Sequence, residues 1–333
     1  MIAPSKKQPT KAPRIFYFCY SHNNPRGGQK RTYEHVDILN RHGYEAYVLH
    51  LEKDYRIHWF ENKTRTIDID TFLSIFRAER DYVVLPEDLG GKILEFPGRK
   101  VIFNKNLYYG FSIFGRVKPA VYPYLHPDII GVMTVSNHNT DFLRFAYPHL
   151  TVVKVDHSVD SEMFVCRPVL AKKRQIAVIP KSPGMLKSLY HMLISRSERG
   201  HNNLRDYEWV WLSDKPQREL STILQDSLIF IFLSVEEGLG RAPIEAMACG
   251  CLVAGFCSGP PREYLPPEFG FEYGDLIGIA RFVEDIAESF PDNIEHLQCL
   301  SDVGRNRALA FSRVREEESI LDAWKGLLSQ ESE

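Results

Sequence analysis

Residues 228–257 read LIFIFLSVEEGLGRAPIEAMACGCLVAGFC. An apolar run rich in β-formers ends at Ser234, a turn with Gly238 and Gly240 follows, small apolar residues run on to Gly250, and a second apolar run starts at Cys251. Strand, glycine turn, helix and strand in that order make one unit of a parallel α/β sheet. Two carboxylates, Glu237 and Glu245, flank the turn. The glycines let backbone approach a ligand closely. Pro243 suits a first helical position, where a missing N–H costs nothing. A helix N-terminus beside glycines offers free N–H groups to phosphate. A carboxylate in the first helical turn repels phosphate but can grip paired hydroxyls such as those of a ribose. Glu237, ahead of the turn, can hold a second set. Phosphate between two polyols describes a sugar nucleotide. Taken singly, either glutamate could merely complement a helix dipole, and the glycines could merely form a loop. Their combination after a buried strand points to function, while the small residues of AMACG let the helix pack closely on the sheet in either case.

The same rhythm extends outward. RQIAVIP (174–180), YEWVWLS (207–213) and LIFIFLS (228–234) are predicted strands, separated by helical patterns over 185–196 and 216–227. In the first half, RIFYFCY (14–20), AYVLHL (46–51), YVVLP (82–86), KVIFN (100–104), GVMTVS (131–136) and LTVVKV (150–155) are predicted strands. A helical pattern over 30–43 closes at Gly43. The chain turns abruptly polar over 152–164, which places the junction of two domains there. Two doubly wound Rossmann-like α/β domains facing across a cleft are expected, over 1–160 and 161–311, with ligands outside the carboxyl ends of strands. An amphipathic helix, 311–328, ends the pattern.

The length of 333 residues fits two domains. Apolar residues at 44% and charged residues at 25% are an ordinary globular balance, and the net charge of -2 carries no nucleic-acid signature. No apolar run reaches the ~20 residues that span a membrane. The basic start, MIAPSKKQPTKAPR, lacks the apolar core of a secretory signal, so a cytoplasmic location is expected. Its plain reading is a disordered terminus; its sharper reading is weak peripheral contact with anionic lipid at the inner face of the membrane, through Lys6, Lys7, Lys11 and Arg14. The six cysteines contain no CxxC pair and suit buried free thiols. The sole Asp-x-Asp, in TIDID, suits a surface strand or loop.

SVEEGLGRAPIEAMACGCLVAG (234–255) resembles the donor-binding signature of retaining, group 1 glycosyltransferases of GT-B fold, of the family-four-like kind. Seven residues separate the two glutamates, as in that family. The resemblance implies that Glu245 clamps ribose, that Glu237 faces the donor sugar, and that Gly238, Leu239, Gly240 and Arg241 contact sugar and phosphate through backbone. SGPPREYL (258–265) resembles the family's Gly-Gly-x-x-Glu segment at Gly259 and Glu263, with Pro260 in place of the second glycine. PRGGQKRTYEHVDILNRHGYEAYVL (25–49) resembles its first loop and helix, with Gly27 and Gly28 facing donor phosphates and acceptor. VSNHNTDFLRFAYPHLTVVKVDHSVDSEMF (135–164) resembles its interdomain passage, with Asp160 at the usual aspartate. WVWLSDKPQREL (209–220) implicates Ser213 to Lys215 near the base. The resemblance also implies that the last helix, 312–330, crosses back to the first domain.

The chain departs from the family twice. Where the family carries Gly-Arg and then a lysine to neutralise the diphosphate, this chain has IPKSPGMLKS; Lys181 and Lys187 are candidate substitutes, without arginine's planar fork. Where many members carry a histidine after the strand matching KVIFN, this chain has NKNLYYG, and Asn104 and Asn106 are candidate contacts to sugar or acceptor, together with Glu263. The expected activity is hexosyl transfer from a nucleoside-diphosphate sugar, of UDP or GDP type, to an acceptor hydroxyl on a glycan, lipid-linked or small molecule, as in polysaccharide biosynthesis. Retention is implied, by a front-face route in which the leaving phosphate assists and Glu237 positions the sugar. No cofactor and no metal are expected. Competing expectations are a GT-B epimerase or phosphorylase and a non-catalytic sugar-nucleotide-binding partner subunit.

Overall fold

The structure, a computed structural model, describes residues 12–23, 27–112, 122–213 and 215–329. Lys6, Lys7, Lys11 and Asp214 lie outside the described residues. The first lobe runs β1 (Arg14–Phe18), α1 (Gly27–Arg41), β2 (Glu45–His50), β3 (Thr66–Asp68), α2 (Ile69–Ile75), β4 (Tyr82–Pro86), β5 (Arg99–Asn104), α3 (Leu107–Ser112), β6 (Ile129–Thr134), α4 (Asn137–Ala146) and β7 (Val152–Lys154). The second runs β8 (Lys173–Val178), α5 (Pro183–Glu198), β9 (Glu208–Trp211), α6 (Gln217–Asp226), β10 (Ser227–Phe232), α7 (Arg241–Ala248), β11 (Leu252–Phe256), β12 (Gly270–Phe271), α8 (Leu276–Ser289) and α9 (Ile294–Leu309). Helix α10 (Arg313–Ser329) is the last described element.

Seven strands form one sheet in the order β3-β2-β1-β4-β5-β6-β7, and five form the other in the order β12-β11-β10-β8-β9. Every pairing is parallel. Parallel strands are covered on both faces, which explains why YVVLP and LIFIF are continuous apolar runs instead of alternating ones; β4 and β10 are buried at every position. Strand order reverses between β1 and β4 in the first sheet and between β8 and β10 in the second. Those two reversals open the crevices where ligands bind in such sheets.

Helix α10 lies on the first sheet although it follows the second lobe in sequence. Trp324 is fully buried, its ring packs edge-on to Tyr17 and Tyr82, and its Nε1–H donates to the Tyr17 hydroxyl at 2.9 Å. A Cβ on Gly131 of β6 would run into the Leu327 side chain, so glycine is what lets the helix press onto that strand. Arg31 of α1 is buried and pairs with Glu316 of α10, whose carboxylate also takes the Ser158 hydroxyl.

Several local expectations change. Arg14 is no lipid contact: it pairs with the fully buried Asp81 at 2.6 Å and seals the base of β1. Asp68 of TIDID ends β3 and caps α2, accepting from the Thr71 N–H at 2.8 Å. Helix α7 starts at Arg241, so Pro243 is its third residue and Glu245 stands beyond its first turn; proline's missing N–H is tolerated throughout that turn because no carbonyl awaits it. Cys19, Cys249 and Cys251 are buried free thiols, whereas Cys299 is exposed. Among the described residues no helix is long and apolar enough to cross a membrane.

Removing the α10 anchor measures how much the crossing helix contributes. Trp324→Ala is expected to cost about 3–5 kcal/mol in urea unfolding, the range for a large buried aromatic, and a cost under 1 kcal/mol would show that the helix only rests on the sheet.

Candidate active site

The two strand-order reversals face one another, and the residues leaving their carboxyl ends meet. From the first lobe come Gly27 and Gly28 at the start of α1, Glu87 after β4, and Asn104, Lys105 and Asn106 after β5. From the second come Lys181 after β8 and the turn 234–240 after β10. Gly238 packs so tightly on the Lys105 carbonyl oxygen that no Cβ could stand there, and the Asn106 side-chain amide donates to the Glu236 carbonyl at 3.0 Å. Gly240 takes φ +83°, a left-handed value that suits glycine, and so aims the start of α7 into the cleft.

Glu237 and Glu245 are both buried, at 7% and 5% exposure, and each has a basic partner. Lys181 Nζ lies 2.5 Å from Glu237 Oε1, and Arg241 Nη2 lies 2.7 Å from Glu245 Oε1. A Cβ on Gly27 would lie 3.2 Å from Arg241 Nη1, which sets that guanidinium between α7 and the start of α1. Buried carboxylates are held by such pairs, because an unpaired one would be driven to its neutral form.

Further cations gather behind them. The Lys105 side chain lies against Gly28. Lys30 reaches across the cleft to Gln217 Oε1 at 2.6 Å, and burial, opposed by Glu34, lowers its pKa. Burial also lowers that of Arg31 to about 10. His157 is pushed well below the usual histidine range, first by burial and then by Arg31 and Arg241, so it is neutral, and its Nδ1 has no partner among the described residues. A basic floor of this kind suits a diphosphate, although the whole chain carries a net charge of -2. Nothing in the sequence marks Lys30 and Arg31, since helical lysines and arginines are ordinarily solvated; only the fold brings them near Arg241.

The remaining candidates divide. Leu239 is buried and lines a cavity of about 200 Å³ with His157, Glu263 and Tyr264. Glu263 accepts the N–H groups of Asn137 and His138 at 2.9 and 2.8 Å, so its carboxylate clasps the start of α4 across the lobes at the wall of that cavity. Asn104 is fully buried and donates to the Tyr124 hydroxyl at 2.9 Å. Ser213 is exposed beyond β9, and Lys215 is engaged by Glu219 at 2.5 Å. Lys187 is exposed on α5 without a hydrogen bond or ion pair among the described residues, so Lys181 alone of the two candidate lysines joins the cluster. Phe111 stacks on Tyr124 at 5.8 Å, a packing contact. Among the described residues no three His, Cys, Asp or Glu side chains converge as a metal-ligating group.

Substituting the glycine at the contact tests whether the lobes meet as described. Gly238→Ala places a methyl against backbone, so the lobes are expected to part: the radius of gyration by small-angle scattering rises while urea stability of the cores holds. An unchanged radius would refute the tight contact.

Residues 207–295 match a family model described as glycosyl transferases group 1, which covers β9 to the start of α9 and includes both glutamates. A curated alpha-1,6-glucosyltransferase of Actinobacillus pleuropneumoniae serotype 7 is 22% identical over 295 residues, covering 83% of each chain. Sucrose-phosphate synthase from Thermosynechococcus elongatus superposes with a TM-score of 0.66 at 14% identity, covering 96% of this chain and 98% of that one. Anabaena HepE, in complex with UDP and glucose, superposes with a TM-score of 0.64 at 12% identity, covering 94% of this chain and all of that one, 100%. At such identities the superpositions establish the fold, two facing Rossmann-like lobes of the GT-B kind, and the segment that matches the group 1 glycosyl transferase model lies on the turn and helix that carry Glu237 and Glu245.

Proposed function

We propose that the protein transfers a hexosyl unit from a UDP-type sugar nucleotide to an acceptor hydroxyl with retention and without a metal. The observation that carries this reading is the pairing of the two buried glutamates with Lys181 and Arg241 at the facing crevices. A diphosphate entering the cleft competes for both cations. Lys181 and Arg241 then turn to phosphate oxygens, and the two carboxylates are released to accept from hydroxyls, Glu245 from ribose and Glu237 from the donor sugar. Both ends of the donor are thereby gripped by groups the empty site keeps neutralised. The UDP in the HepE complex favours uridine as the base.

The barrier lies in breaking the anomeric C–O bond, which leaves charge on the diphosphate. Lys181, Arg241 and the N–H groups at the start of α7 are oriented before the reaction and stabilise that charge. The tight seat of Gly238 on Lys105 excludes water from the sugar. With Glu237 engaged by the hydroxyls of the donor sugar, a front-face departure in which the leaving phosphate takes the acceptor proton is the route this reading favours.

Two measurements test this. UDP at 100 times its dissociation constant is expected to stabilise the parent by about 2.7 kcal/mol, read as a thermal shift, and Glu245→Ala is expected to abolish that shift; a shift retained at unchanged affinity rules out the ribose clamp. Glu237→Gln is expected to keep UDP affinity while kcat with a UDP-hexose falls about a hundredfold or more. The anomeric configuration of the product, read by proton NMR, decides retention.

A further inference from the structure

A buried carboxyl that the mechanism above does not use stands at the first-lobe crevice. Glu87 directly follows β4 and is 4% exposed. Its Oε1 accepts the backbone N–H of Asn106 at 2.8 Å. Its Oε2 is buried without a partner among the described residues. Asn106 in turn bonds in two directions: its side-chain amide donates to the Glu236 carbonyl at 3.0 Å, and its side-chain oxygen accepts the Tyr108 N–H at 2.9 Å. The peptide before it carries the carbonyl on which Gly238 sits. Two hydrogen bonds therefore join the end of β4 to the turn that presents Glu237.

We propose that Glu87 is a positioning residue for that turn, acting through Asn106 to set the backbone of residues 236–238, so that its charge state governs nucleotide affinity. This rests on the reading of the cleft as a nucleotide site. A carboxylate holds an N–H more strongly than a neutral carboxyl does, and an anionic Glu87 also balances Lys105. Burial raises the Glu87 pKa to about 7, opposed by Lys105 and reinforced by Asp88. The groups facing it are Lys105 from the loop after β5, Asp88 on its own turn, Tyr20 from the loop after β1, and Tyr124 from the turn before β6. Tyr20 donates to Asp88 at 3.1 Å and Tyr124 accepts from Asn104, so both tyrosines are committed elsewhere. Lys105 is the cation that can answer a change at Glu87.

The sign follows from the raised pKa. Glu87 is charged above about 7, so the turn is held best there, and affinity declines as pH falls through that value. Stability moves the opposite way. A folded-state pKa above the unfolded one favours folding below the unfolded value, and that contribution is lost as pH rises through about 7.

The test is isothermal titration of the full chain, at pH 6, 7 and 8, with whichever of UDP, GDP or ADP it binds. The parent, Glu87→Gln and Asn106→Ala are compared. Titration of the nucleotide itself is common to all three. Relative to Glu87→Gln, the parent is expected to lose up to about tenfold in affinity between pH 8 and pH 6. Glutamine can still accept the Asn106 N–H, so a purely structural role would leave the two profiles parallel, and that result overturns the proposal. Asn106→Ala is expected to bind more weakly and to share the flatter profile of Glu87→Gln; if it keeps the parent's pH dependence, the route through Asn106 is wrong. Should the glutamine variant not fold, the parent and Asn106→Ala carry the same comparison. The melting temperature of the parent relative to Glu87→Gln is expected to fall as pH rises from 5 to 8. A parent that binds none of the three nucleotides overturns the reading of the cleft as well, whereas binding with parallel profiles overturns this inference alone.

Discussion

The close seat of Gly238 on the Lys105 carbonyl is the contact on which the site depends. It brings backbone from two separate sheets to within van der Waals range, which only a residue without a side chain permits. Everything chemical is arranged around it. Glu237 precedes it, Gly240 turns the chain into α7, and Asn106 ties the opposing loop to the Glu236 carbonyl. A side chain at this position would have to be accommodated by moving main chain, and main chain in parallel sheets has little freedom to move.

Around that contact the charges are arranged in compensated pairs. Glu237 with Lys181, Glu245 with Arg241, and Arg31 with Glu316 each bury a carboxylate against a cation. Such pairs add little net stability, since desolvation consumes most of the attraction. Two of them line the cleft, Glu237 with Lys181 and Glu245 with Arg241. On the proposed function, a ligand carrying two phosphates and two sets of hydroxyls would replace each internal partner with an external one, so the site would never hold a bare buried charge. The Arg31 pair cannot be exchanged in this way, because both its members are enclosed between α1 and α10; it ties the two helices together instead.

What the sequence makes legible follows from what is local. Continuous apolar runs announce parallel strands, and the turn with its two glutamates announces a candidate site, because glycines, helix start and carboxylates lie within a dozen residues. Edges are less visible: β3 and β12 are two or three residues long and carry no periodicity. Long-range pairing is not visible at all. Arg14 resembles the end of a basic tail until Asp81 is found beneath it, and nothing near Glu263 in sequence marks its clasp on the N–H groups of α4. Glu87 had no motif to mark it. Its nearest sequence signal, an acidic pair after an apolar strand, is also how an ordinary surface turn begins.

The chain leaves the first lobe near Val159 and returns to it near Phe311, and at that point the Val159 N–H donates to the Phe311 carbonyl at 3.0 Å. Arg313 reinforces the spot with a bond to Asp160 at 3.1 Å. Departure and return thus run side by side as a double tether. A body suspended from two adjacent cords can swing about the line through them but cannot twist freely or drift away. The double tether thus leaves one axis about which the lobes can turn relative to each other, and Gly238 sits on the closed side of it.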